Sequence, residues 1–165
     1  MLAVAVSSLA LLPACGSAPP APKVAQVQPG ELPPGASWNG VYYNELYGYL
    51  HLVHTGSTIQ GRWKRSDGSA WGEMHGNVTG NVFRFEWAEY KDGFVGEAGT
   101  SRGRGYFVYT RPEGENVDDR IEGEWGFGDD EVGNPWNCIK QRNKEPDLAS
   151  IGATIDATGP VGDWE

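Results

Sequence analysis

Few side chains in this sequence stand at spacings that do chemistry. His51 and His54 form an H-x-x-H pair, which chelates zinc from one face of a helix. On a strand the same spacing sends the two rings to opposite faces, and His75 is the only other histidine. Glu122 and Glu124 share a face of one predicted strand, about 7 Å apart, the separation of a glycosidase carboxylate pair. An arginine expected across from Glu124, Arg104, reads instead as its ion-pair partner. Asp129, Asp130 and Glu131 gather oxygens before Gly133 but lack the D-x-D-x-D-G spacing of a calcium loop, so they are a weak calcium candidate and by default a solvated turn. The chain contains neither G-x-S-x-G nor H-E-x-x-H. Cys138 has no histidine nearby in sequence and reads as a buried structural thiol. No catalytic set and no cofactor are expected.

Charge narrows the partners. The net charge is −9, and nucleic-acid binding needs a basic footprint that is missing here. Between Glu113 and Glu131 nine carboxylates stand against one base, Arg120, which predicts an acidic face on one side or end.

Composition sets the boundaries. Of 165 residues, nineteen are aromatic, and eighteen of these lie between Trp38 and Trp136. Six of the 11 prolines fall between Pro19 and Pro34. A proline-rich stretch without aromatics buries too little apolar surface to offset its ordering entropy. The reading is a signal segment over 1–14, an extended arm over 15–37, a folded domain over 38–142 and a loose tail over 143–165. Leu148, Ile151 and Ile155 are the tail's candidates for docking.

Residues 1–14, MLAVAVSSLALLPA, are uncharged and too short to cross a bilayer as a stable helix. With Leu12-Pro13-Ala14-Cys15-Gly16 they resemble the lipobox of bacterial lipoproteins, in which the cysteine receives diacylglycerol. The resemblance implies a Cys15 anchored in the cell envelope, at the outer membrane or on the periplasmic side. A plain signal peptide is the alternative for this segment. Lipidation of Cys15 would leave Cys138 without an intrachain partner; a Cys15–Cys138 disulfide is the rival arrangement. Stretched as polyproline, the 22 residues from Gly16 to Ser37 would reach up to roughly 70 Å.

Between Trp38 and Arg142 the apolar pattern has period two, broken by glycine turns. Hairpin loops are expected at Thr55-Gly56, Asp67-Gly68 and Gly80-Asn81. They pair Leu52 with Ile59, Trp63 with Gly72 and Gly76 with Phe85. A longer loop near Gly114 would pair Gly103 with Trp125 and Gly105 with Gly123. One face then collects Leu50, Leu52, Ile59, Trp63, Met74, Val78, Phe83, Phe85, Trp87, Phe107, Tyr109, Ile121 and Trp125, joined by Trp38, Tyr42 and Trp136. The other face is polar, with Arg62 across from Glu73 and His75 across from Glu86. The fold class is all-β: about eight antiparallel strands in an up-and-down meander closed into a small barrel, which removes exposed edges. An open sheet folded as a sandwich is the second reading.

Trp38-Asn39-Gly40-Val41-Tyr42-Tyr43, the meander order and the G-x-W elements at Gly61 and Gly123 resemble the calycin superfamily, which includes lipocalins and avidins. That resemblance implies a small ligand held inside the barrel. Its G-x-W motif stands near the first strand, where this chain has W-x-G, so no binding residue transfers. Eight strands enclose room for packed side chains or one small ligand. The ring load favours a plugged barrel, with at most a shallow cup at one mouth, over an open cavity. If a pocket exists, Trp63, Phe85, Trp87 and Trp125 are the candidate lining for an apolar or aromatic ligand; the favoured alternative for each is a plain core residue. The function expected is a non-enzymatic, lipid-anchored envelope barrel that binds such a ligand or an envelope protein. A packed interaction barrel using its acidic face is the alternative.

Overall fold

The computed structural model describes residues 20–94 and 96–152; Cys15, Ile155 and the signal segment lie outside them. Eight strands follow in chain order: β1 (Gly40–Asn44), β2 (Gly48–Thr55), β3 (Thr58–Lys64), β4 (Ala70–Thr79), β5 (Val82–Lys91), β6 (Thr100–Thr110), β7 (Arg120–Phe127) and β8 (Asn134–Gln141). Each pairs antiparallel with its neighbours in sequence, and β8 closes on β1 through Val41–Gln141 and Tyr43–Ile139. The meander barrel is therefore closed, and the sandwich reading falls away.

Alternation fixed the faces correctly, while two of the four hairpin registers differ from expectation by two residues. The β2–β3 loop is Gly56-Ser57, so that Leu52 faces Gly61 and His54 faces Ile59. Gly56 has φ +63, and a primed turn requires positive φ at its first central position, which β-branched Thr55 resists. Between β6 and β7, Gly105 faces Trp125 and Gly103 faces Phe127. Here Arg111 and Asp119 extend the ladder one step beyond Thr110–Arg120, joined by two hydrogen bonds of 2.7 and 2.8 Å. A slip of two residues preserves the buried face, whereas a slip of one would invert it. The other two registers stand as expected, with Trp63 facing Gly72 and Gly76 facing Phe85.

The interior is filled in layers. At the bottom Trp38, 1% exposed, lies edge-on to Phe83 and Tyr109 with centroids 6.0 and 5.2 Å away. Its indole N–H donates to Gly80 O at 3.3 Å. Above it Phe83, Phe85, Phe107 and Trp136 form a chain of ring contacts spaced 4.9–5.3 Å. Such density requires missing side chains opposite the largest rings. A Cβ at Gly72 would stand 2.2 Å from Trp63 Cζ2, so only glycine lets that ring lie across β4.

On the outside, Arg62 meets Glu73 at 3.5 Å and His75 meets Glu86 at 3.9 Å, as the alternation implied. Arg104 does not meet Glu124. The register places it opposite Gly126, and it bridges Glu86 and Asp129 at 3.4 Å each. Glu124 instead accepts from Gly133 N at 3.0 Å.

The proline-rich arm is extended but not free. Lys23 N donates to Asp130 Oδ1 at 2.8 Å, Glu131 N to Lys23 O at 2.8 Å, and Ala25 N to Glu131 Oε2 at 3.0 Å. Arg84 pairs with Glu131 and reaches Ala25 O and Val27 O. Gly30 exchanges hydrogen bonds with Asn81, and Arg111 donates to Pro34 O at 2.8 Å. The tail is also held as far as Gly152. Arg62 donates to Leu148 O and Ile151 O, Asp147 N donates to His51 Nδ1 at 2.9 Å, and Ile151 is buried.

Candidate functional site

In an up-and-down barrel every loop that follows an odd strand emerges at the same end. The β1–β2, β3–β4, β5–β6 and β7–β8 loops therefore ring one mouth, here termed the cup mouth. Trp38 and the long β6–β7 loop close the opposite, far mouth.

The last inward residue of several strands falls at the cup mouth, and so does the gap in the packing. A cavity of about 60 Å³ lies there, bounded by Trp63, Trp87, Trp125, Trp136, Tyr47 and Phe127, with Arg65, Glu89 and Ser101 on its polar side. Trp87 stands edge-on to Trp125 at 5.0 Å, and Phe127 meets both at 5.7 and 5.1 Å. Tyr47 lies 4.5 Å from Trp136, centroid to centroid.

Most polar atoms of this cup are already engaged, while the buried Nε1 of Trp136 has no partner among the described residues. Trp125 Nε1 donates to Tyr47 Oη at 3.0 Å. Trp87 Nε1 donates to Arg104 O and Gly126 O, both at 3.2 Å. Glu89 accepts two bonds of 2.9 Å from Arg65 and one of 3.3 Å from Trp63 Nε1. The carboxylate holds the Arg65 guanidinium above its ordinary pKa, and Arg65 sits over the Tyr47 ring at 5.6 Å. Ring faces and edges thus remain as the recognising surface, which suits apolar or ring-bearing groups. Drug-sized pockets measure about 300–1,000 Å³, so 60 Å³ admits one small group.

Three of the four residues expected to line a site, Trp63, Trp87 and Trp125, meet here. Phe85 does not. It lies one layer deeper, 4.9 Å from Phe107, and supports the cup from below. Sequence reasoning missed Tyr47, Arg65, Glu89, Ser101 and Phe127. Glu89, Ser101 and Phe127 carry a usable signal, since each continues the inward alternation of its strand by one step to the rim. Tyr47 and Arg65 come from loops, where alternation says nothing.

The other chemical candidates separate. Asp129, Asp130 and Glu131 point to Arg104, Lys23 N and Ala25 N respectively, and no three metal-ligating side chains converge among the described residues. Asp118 and Asp119 pair with Arg142 and Arg111 at the far mouth. The acidic stretch therefore divides between the two ends of the barrel and does not form one face. Cys138 is 2% exposed inside the barrel, and burial pushes its thiol up to about 12, which keeps it protonated. A polar groove of about 360 Å³ passes the far mouth beside Arg111, Asp119 and Lys140. Burial lowers the pKa of Lys140, whose ammonium donates to Ser37 O and lies 5.6 and 5.5 Å from the Tyr42 and Tyr109 ring centres. Its hydrogen bond ties the end of the arm to β8.

No protein-family model, curated protein or solved structure matches the chain.

Proposed function

We propose that this chain is a lipid-anchored barrel of the bacterial cell envelope, calycin-like in its architecture, that binds a small apolar or aromatic group without transforming it. The observation that carries the binding half is the cup, a gap between aromatic walls in which the N–H groups of Trp63, Trp87 and Trp125 are satisfied within the protein and that of Trp136 is not, among the described residues. The packed layers beneath argue against a deep lipocalin-type cavity and for a shallow seat that takes one ring or the end of an alkyl chain. The anchoring half rests on the lipobox-like Leu12-Pro13-Ala14-Cys15.

A second reading, an interaction barrel without a ligand, draws on the filled interior. Under it the exposed Leu46, Phe94 and Phe127 around the cup would meet an envelope protein. Titration of tryptophan emission with small ring compounds and short-chain alkanols separates the two. The binding reading expects saturable shifts that disappear in Ser101→Leu, a variant whose side chain fills the cup. Emission that none of these compounds alters would reject ligand binding.

A further inference from the structure

We infer that the docked arm acts as a strap that turns the cup mouth toward the lipid surface. The inference rests on the lipidated Cys15 of the preceding proposal.

The arm crosses the outside of the barrel from end to end. Ser37, at the far mouth, leads into β1 and is held by Lys140. Gly30 is fastened to Asn81 in the β4–β5 turn, also at the far mouth. Arg84 of β5 then grips Ala25 and Val27, and Lys23 is bonded to Asp130 and Glu131 in the β7–β8 loop. The chain therefore leaves the barrel at the cup mouth, opposite the end where it enters β1.

Docking shortens the tether. Seven residues separate Cys15 from Lys23, and eight Cα steps span at most about 29 Å when fully extended. Strands of this length tilted as in small barrels give a height of about 25 Å. Placing the far mouth on the membrane would lift Lys23 by much of that height and stretch most links. Placing the cup mouth there requires no extension.

The surface delivered by this arrangement is apolar at its tips. Leu46 and Phe94 project from two loops of the cup mouth and Phe127 from the last position of β7, 62%, 62% and 60% exposed, and Val24 of the strap is 53% exposed. Loops of the same mouth carry exposed Glu45, Asp67, Asp92 and Glu97, which anionic headgroups would repel. The matching surface is a zwitterionic bilayer, with the apolar tips at the headgroup level and the cup opening onto it.

The test uses the full acylated chain on phosphatidylethanolamine–phosphatidylcholine vesicles containing a headgroup spin-labelled lipid. A fluorophore is attached at Asp92→Cys in the cup mouth or at Ser57→Cys in the far mouth. Several-fold stronger quenching at 92 than at 57 is expected. Equal quenching, or stronger quenching at 57, overturns the orientation. In Asp130→Ala/Glu131→Ala the strap is released, and the two sites should become nearly equal while the protein stays on vesicles; a preserved difference overturns the strap as its cause. The premise is checked separately. Membrane partition should be lost in Cys15→Ser, and partition that survives this substitution removes the anchor and the inference with it.

Discussion

Gly72→Ala probes the packing of the central rings beneath and beside the cup. The added Cβ would lie 2.2, 2.4 and 2.6 Å from three atoms of the Trp63 benzo ring, where contacts between carbons normally begin near 3.5 Å. Trp63 cannot retreat freely, since Trp136 stands edge-on at 5.1 Å and Glu89 holds its N–H at 3.3 Å. Overpacking of this kind costs about 1–3 kcal/mol. Removing a glycine from the unfolded chain returns about 0.4–1 kcal/mol, so a net loss of about 1–2 kcal/mol is expected. For a domain of this size each kcal/mol moves Tm by about 3–6 °C, and thermal unfolding should fall by roughly 3–12 °C. Trp63→Phe withdraws the clashing ring, at its own cost of about 1–3 kcal/mol for the space left behind. The double variant should be less destabilised than the sum of the two. An unchanged or raised Tm for Gly72→Ala would refute the argument, as would additivity within about 0.5 kcal/mol.

Three further outcomes follow from particular contacts. Arg111 holds the Asp119 carboxylate below its ordinary pKa, burial opposes it, and Tyr109 adds a hydrogen bond. A depressed folded-state pKa stabilises above the unfolded value near 3.9 and is lost as pH falls through the folded value. Asp119→Asn should thus cost about 1–3 kcal/mol at neutral pH, with the difference from the parent narrowing in urea denaturation as pH falls below the unfolded value; a difference independent of pH contradicts this. Cys138, protonated and buried, should resist thiol reagents at pH 8 in the native protein and react fully in denaturant; rapid native labelling would place it elsewhere. Glu89→Gln removes the charge partner of Arg65 while keeping an acceptor for Trp63. Stability should drop by about 1–2 kcal/mol, with a shift in tryptophan emission, and unchanged chemical denaturation and emission together would show that the pair does not organise the rim.

The architecture was legible because alternation is a robust signal: every inward residue assigned from period two lies inside the barrel or packs against its core. Register was less so. Thr55 and Arg111 show why, since one depends on which residue accepts positive φ and the other on an ion pair across a nine-residue loop. The cup was half legible. Trp63, Trp87 and Trp125 followed from their faces, whereas depth along the barrel, which separates Phe85 from the cup, depends on the stagger between strands and is not written in alternation. The arm's extended course was legible, but its docking escaped. Its composition reads as unfolded, and what orders it is a set of backbone hydrogen bonds to Asp130, Glu131, Arg84 and Asn81, which are distant in sequence and carry no local pattern.

The most direct measurement is an NMR titration that follows each tryptophan indole N–H while a small ring compound is added. Binding in the proposed cup should give saturable shifts for Trp63, Trp87 and Trp125, with Trp38 at the sealed far mouth unmoved. Shifts at Trp38, or no shifts at the three cup residues with any ring compound, would contradict it.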